Sequence, residues 1–327
     1  AALAAAAAAA AASAAALAEA PPLHILSYNL WFEHPDTFEV RMGAIAAIAG
    51  GSESAPPAAL FLQEATPSQL GARGRLTERL RKDHRFCAPM MQPPQQSPFN
   101  GAEAYQVGIT TRWPLAPLCP RRTEFALFSR TGMSRGLLMA VTTWGAAANA
   151  PNVLLATTHL ESWIGPEANG EVLANRRSQL AEAGEKVARR AAEAQCCLAV
   201  LAGDMNWNDA DGGDPLDVLR ATAGGGGWMD AWQAVGSPQE SRATMGWNLR
   251  LDRCFYLCPP PTTGSSALQV QPTAVSLVGK SQPPSLHGRT VETRSGKRQK
   301  LLPSDHRGLL VSFAPRRAGA GWAAELD

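Results

Sequence analysis

Residues 198–206 read Leu-Ala-Val-Leu-Ala-Gly-Asp-Met-Asn. Five apolar residues in a row fit a short strand buried on both faces. The run stops at a glycine and hands over at once to a carboxylate and an amide. The same layout recurs along the chain. Asn29 ends the run that begins at Leu23, Gln63-Glu64 follows Ala58–Leu62, and His159 follows Val153–Thr158. Asp252 opens Asp252–Leu257, and Ser304-Asp305-His306 precedes Gly308–Phe313. If these strands share a sheet edge, their polar ends converge on one mouth. Carboxylates, amides and two imidazoles gathered there would suit a hard divalent cation and a phosphate. Taken singly, each residue reads more readily as a turn former, a cap or a hydrogen-bonded core side chain than as a site residue. The repetition of the layout carries the inference.

Further strand-like runs lie at His84–Pro89, Tyr105–Thr111, Glu124–Phe128, Leu137–Thr143 and Leu268–Gln271. Helical spacing is sparse. Asp36 caps a segment whose apolar residues are Phe38, Met42, Ile45 and Ala49, at intervals of three and four. Thr66-Pro67 opens a second helix, and Glu171–Gln195 is a long third. Many strands, few helices and no regular βαβ alternation indicate an α/β protein of two packed sheets with helices outside. The segment 279–303 is polar and basic and reads as a loop. Its cations, Arg289, Arg294, Lys297, Arg298 and Lys300, fit a solvated face or a surface that steers phosphates.

Length and composition bound the rest. The 327 residues are 45% hydrophobic and 18% charged, enough apolar material for a sizeable core and too much for a disordered chain. With 30 Lys+Arg against 28 Asp+Glu, the net charge is +2, so a polyanion must be met by a local patch rather than by bulk charge. The alanine-rich stretch 1–20 reads as a low-complexity tail at a trimmed or incomplete N-terminus. Residues 315–327 read as a second disordered tail, which leaves one domain at 21–314. Six cysteines without a C-x-x-C pair fit a reducing compartment rather than a disulfide framework or a zinc site. No apolar run other than the alanines is long enough to span a bilayer. No G-x-S-x-G occurs and no cysteine lies near a motif histidine, which sets a Ser or Cys hydrolase aside.

In this order, Asn29, Gln63-Glu64, His159, Gly203-Asp204-x-Asn206, Asp252 and Ser304-Asp305-His306 resemble the endonuclease/exonuclease/phosphatase superfamily, whose fold is the four-layered α/β sandwich of the DNase I-like proteins. The resemblance spans Leu23 to Phe313. Several segments look like its tyrosyl-DNA phosphodiesterase 2 branch in the plant-type form: Thr158–Ser162, Arg250–Arg253, Pro303–Leu310, Ser27–Phe32, Gly203–Trp207 and Gly227–Trp232. Asn208 departs from the branch, because animal members carry an Arg there, and Thr244–Asn248 is a short, imperfect version of another segment.

The resemblance implies hydrolysis of a 5′-phosphotyrosyl bond on DNA, leaving a 5′-phosphate, in repair of topoisomerase-linked breaks. It implies Mg²⁺, or Mn²⁺, held by Glu64 with Asp305 and Asn29. Asp204 would activate or orient water, Asn206 would donate to that water or to a phosphoryl oxygen, and His306, paired with Asp252, would donate to the phosphate. His159 would be a second donor. Ser162, Trp163, Trp207, Arg135 and Tyr105 are the substrate-side candidates. The expected partner is a DNA 5′ end carrying a tyrosyl adduct, with no membrane, acted on by a monomer in the nucleus. The rivals are a superfamily enzyme that cleaves abasic DNA, RNA or a phospholipid, and a non-catalytic nucleic-acid-binding module on the same fold.

Overall fold

In the computed structural model, the described residues are 20–71, 73–86, 106–116, 119, 122–145, 147, 150–162, 169–208, 213–222, 225–237, 243–245, 249–259, 269–292 and 296–316. Among these residues, two six-stranded mixed sheets pack face to face. The first runs β11 (Gln269–Val278), β14 (Gly308–Arg316), β1 (Leu23–Asn29), β2 (Ala59–Ala65), β4 (Gln106–Thr111) and β3 (Arg85–Phe86). The second runs β5 (Thr123–Leu127), β6 (Gly136–Thr143), β7 (Asn152–His159), β8 (Cys196–Asp204), β10 (Asp252–Leu257) and β9 (Met229–Asp230).

Alternation along the strands builds the layers. On β8, Leu198, Val200 and Ala202 face the first sheet, where they meet Ile25, Phe61 and Ile109. Ala199 and Leu201 face outward onto Leu180, Ala183 and Val187 of the long helix at Asn169–Glu193. On the first sheet, Leu26, Leu60 and Leu62 face outward onto Met42, Ile45 and Ile48 of the helix at Phe38–Ala49. The result is helix, sheet, sheet, helix, the four-layered sandwich expected from the resemblance. The helix at Pro67–Leu70 opens with the expected Thr66 cap, completed by Gln69 as a capping box. Asp36 lies one residue before the actual N-cap, Thr37.

Two parallel pairings bring the polar strand ends together. β1 runs parallel to β2, with Asn29 opposite Gln63. β7 runs parallel to β8, with His159 opposite Asp204, and antiparallel β10 sets Asp252 opposite the same Asp204. Parallel neighbours end at the same edge, so the carboxylates and imidazoles emerge together. Gly203 makes the β7–β8 approach possible, since a Cβ there would sit 2.0 Å from the Thr158 carbonyl oxygen.

Segment 279–303 departs from the expected loop. It holds a small hairpin of β12 (Thr290–Glu292) and β13 (Arg298–Lys300). Val291 and Leu301 pack with Trp31, Ala44 and Leu286 in a separate apolar cluster.

Candidate active site

Each functional side chain sits at a strand end or in the turn that follows. Glu64 lies where β2 slips register against β4, between Leu62 and Ala65. Its backbone is left-handed, with φ 53°. Asn206 follows β8 with φ 49°. Two non-glycine residues held in this region mark places where surrounding structure overrides local preference, as functional sites commonly do.

Asp204 is the hub. It is fully buried, and its Oδ1 accepts the backbone N–H of Asn206 at 2.9 Å. Its Oδ2 accepts Asn29 Nδ2 at 3.1 Å and lies 3.4 Å from His159 Nε2 and 3.7 Å from His306 Nε2. Burial by itself would raise its pKa. His306, His159 and the hydrogen bonds overcome that and hold the carboxyl below its usual range.

The two histidines are driven in opposite directions. Burial alone would push His306 down, yet the Asp252 and Asp204 carboxylates hold it well above its ordinary value. Asp252 Oδ2 is 2.8 Å from His306 Nδ1. Those neighbours favour the imidazolium form of His306, in which both ring nitrogens donate. His159 is pushed well down, first by burial and then by Arg135. Arg135 Nη1 lies 3.0 Å from His159 Nδ1. A guanidinium can only donate, so it fixes the acceptor on Nδ1 and the proton on Nε2. His159 is a neutral donor aimed toward Asp204.

Glu64 and Asp305 form the acidic corner. Glu64 Oε2 accepts the Phe32 N–H at 3.1 Å. Burial, then the neighbouring Asp305 charge, push its carboxyl up to about 7. Burial also raises Asp305, against the opposing charges of His306 and Arg41. A cation between two such carboxylates would relieve that repulsion, and an oxygen-only donor set matches a hard ion such as Mg²⁺ or Mn²⁺. These residues fit the divalent metal used by the superfamily. Asp204, Asp252 and His306 also bring ligand-type atoms within 4.8 Å of one another. There both ring nitrogens of His306 already face carboxylates, Nδ1 toward Asp252 at 2.8 Å and Nε2 toward Asp204 at 3.7 Å. Asn29 spends its Oδ1 on the Trp31 N–H at 2.9 Å and turns its amide nitrogen to Asp204.

The substrate-side candidates divide. Arg135 and Ser162 meet beside His159, with Arg135 Nη2 3.3 Å from Ser162 Oγ. Trp207 corrects the expectation of a stacking face. It is fully buried within the apolar layer beneath the second sheet, its Nε1 donates to the Gly213 carbonyl at 3.1 Å, and Arg177 covers its ring. Tyr105 and Trp163 lie outside the described residues.

Sequence reading missed the supports. Arg41 is fully buried and its Nη2 donates to the Leu30 carbonyl at 2.9 Å. It also donates to the Trp31 carbonyl and, from Nη1, to Glu33 at 3.1 Å, so it shapes the turn that carries Phe32 to Glu64. Gln63 Nε2 donates across the sandwich to Thr157 Oγ1 at 2.9 Å. Glu161 accepts from Gln179 at 2.8 Å, Thr131 at 3.0 Å and Gly132 at 3.1 Å, which fixes the loop carrying Arg135. The only sequence signal for Arg41 was a charge on the helix face otherwise marked by Phe38, Met42 and Ile45.

A buried hub carboxylate, two imidazoles in opposite electrostatic settings and a carboxylate pair at the strand ends make a phosphoesterase-type site. Residues 26–306 match the Endonuclease/Exonuclease/phosphatase family, and the chain belongs to it. Among solved structures, D. rerio TDP2 in complex with a single-strand DNA product is similar at 22% identity and TM-score 0.60, covering 89% of this chain and 98% of that one. TDP2 from Caenorhabditis elegans is similar at 21% identity and TM-score 0.60, covering 90% and 74%. Sphingomyelinase C from Streptomyces griseocarneus is similar at 18% identity and TM-score 0.59, covering 89% and 99%. At these identities the likeness is one of fold. No curated protein sequence matches the chain significantly. Among the described residues, no helix is long and apolar enough to cross a membrane.

Proposed function

We propose that this chain hydrolyses 5′-phosphotyrosyl bonds on DNA with Mg²⁺ or Mn²⁺, leaving a 5′-phosphate, and acts as a monomer in the nucleus on topoisomerase-linked ends. The observation that carries the phosphodiesterase chemistry is His306 held between the Asp252 and Asp204 carboxylates, beside the Glu64–Asp305 pair. A phosphodiester is anionic and resists nucleophiles, so fixed positive charge and donors aimed at its oxygens lower the barrier.

Glu64 and Asp305 would hold the metal, which when bound neutralises phosphoryl charge. His306 donates its Nε2 proton to a non-bridging oxygen, and His159 donates from the other side in the tautomer that Arg135 sets. Asp204, held low by its donors, is a weak base and a strong acceptor. It orients the attacking water rather than carrying the proton far. Asn206 gives one amide proton to the Leu160 carbonyl at 3.0 Å and has a second for water or phosphate. A phenol leaves readily, with a pKa near ~10, so the reaction needs no strong general acid. What supports the tyrosyl-DNA substrate is the set of branch-like segments around these residues, together with a fold shared with TDP2 structures, one of which holds a single-strand DNA product.

The test compares a 5′-phosphotyrosyl oligonucleotide, an abasic duplex, poly(A) and sphingomyelin, each with Mg²⁺ and with chelator. Only the first turns over well, and only with metal. Comparable cleavage of the abasic duplex or of sphingomyelin refutes the substrate, and turnover in chelator refutes the mechanism.

A further inference from the structure

The β12–β13 hairpin plays no part in the chemistry above, and its construction has a direction. Val291 is buried against Trp31 and Ala44. Its cross-strand partner is Gln299, so the pairs on either side, Thr290 with Lys300 and Glu292 with Arg298, share the opposite, outward face. Lys297 directly precedes the second strand, and Arg289 precedes the first. All four cations are exposed. The one carboxylate among these hairpin residues is Glu292, so a local positive excess stands on a chain that is otherwise nearly neutral.

The hairpin is also held in place. Gln282 Nε2 donates to the Arg289 carbonyl at 2.7 Å and to the Leu301 carbonyl at 3.0 Å. The Leu301 N–H donates to the Arg289 carbonyl at 3.0 Å. These bonds clamp the base. Trp31, which packs on that base, gives its N–H to Asn29 at the site. Asp305 lies five residues beyond Lys300, so the cationic face is within about 17 Å of the acidic corner along the chain. At a rise of about 3.4 Å per nucleotide, that is roughly five nucleotides.

We propose that this hairpin is a phosphate-binding arm that grips the backbone of the nucleic-acid strand whose end is being cleaved. The proposal rests on the reading that the substrate is a nucleic-acid strand, and it adds where that strand runs. Lysines and arginines on a clamped ribbon neutralise successive phosphates without reading bases, so the contribution is sequence-independent and weakens with salt.

The test uses the whole chain carrying Lys297→Ser, Arg298→Ser and Lys300→Ser together. All three positions are exposed, and a thermal melt that matches wild type confirms the fold. The first probe is an unmodified single-stranded oligonucleotide of about twelve nucleotides, followed by fluorescence anisotropy between low and high salt. The variant binds about tenfold more weakly at low salt, and its log K against log salt slope is shallower by about 2, near 0.7 for each lost contact. The second probe is the 5′-phosphotyrosyl form of the same oligonucleotide, for which KM rises and kcat stays within about twofold. Wild-type binding that the triple variant leaves unchanged overturns the arm, as does an oligonucleotide that wild type does not bind. Because the first probe lacks tyrosine and needs no turnover, loss of binding there supports the arm even if the tyrosyl substrate fails.

Discussion

Replacing Asp252 by Asn removes a charge and keeps the shape. The amide oxygen can still accept from His306 Nδ1, now at 2.8 Å from Asp252 Oδ2, so ring orientation survives and the electrostatic support is lost. Unit charges about 4 Å apart attract by about 4 kcal/mol at an effective dielectric near ~20. At about 1.4 kcal/mol per pH unit, His306 loses about three pH units of support. Burial then acts against Asp204, at 3.7 Å from Nε2, and Asp305, and the ring gives up its proton at lower pH than in wild type. A general-acid or charged donor of this kind is worth about 10²- to 10⁴-fold. The variant therefore falls at least about 10²-fold below wild type at pH 8 and recovers most of the difference near pH 5.5. The alkaline limb of kcat/KM moves to lower pH by about three units. The measurement is kcat/KM from pH 5 to 9.5, at saturating Mg²⁺, on a 4-nitrophenyl phosphodiester. A loss of the same size at both ends of that range would show that Asp252 only holds geometry. A loss under about threefold would remove His306 from the chemistry.

Three further outcomes follow from the same geometry. Glu64→Gln abolishes turnover, and in chelator at pH 8 it melts higher than wild type. Its carboxyl stands near 7 in the fold because of burial and Asp305, against about 4.3 unfolded, so the penalty for ionising it is absent below the unfolded value and complete above pH 7. Discounted for its partial exposure, the gain is about 1–2 kcal/mol, Mg²⁺ cancels it by stabilising only wild type, and equal melting in chelator would refute it. Arg135→Met lets His159 titrate closer to its ordinary value, visible in the histidine ring proton shifts, and lowers kcat/KM by about tenfold; an unmoved His159 titration would show that burial alone keeps it neutral. Gly203→Ala costs about 3–5 kcal/mol in urea unfolding, because the Thr158 backbone cannot retreat from a new Cβ at 2.0 Å, and a loss below about 1 kcal/mol would mean that the β7–β8 pair slides freely.

The strands with two buried faces were legible because both faces must be apolar. β8, β7, β10 and β1 stand where continuous runs placed them, and the polar residue that breaks each run is the one that reaches the site. β11 was seen only at its start. It is an edge strand whose Thr273, Ala274 and Ser276 face solvent, and Pro272 sits at a register slip against β14. Proline is tolerated at such an edge, so no apolar run betrays the strand. The hairpin was invisible for a related reason, because only Val291 of its two strands is buried and a single apolar residue sets no period.

The site's supports were illegible for a different reason: they are set by topology. Nothing near Arg41 in sequence announces that the carbonyls of Leu30, Trp31 and Glu33 will turn inward to meet it. Nothing near Arg135 announces a histidine from the neighbouring strand, although Leu137 pairs with Thr158 two residues further on and so places Arg135 at the level of His159. The two imidazoles illustrate the consequence. As letters, His159 and His306 are equivalent residues that follow or precede a strand. One is set beside a guanidinium and the other between two carboxylates, and that difference in neighbours favours a neutral donor of fixed tautomer at one and the protonated ring at the other. Exchanging those neighbours by mutation, rather than exchanging the histidines, is what would exchange their roles.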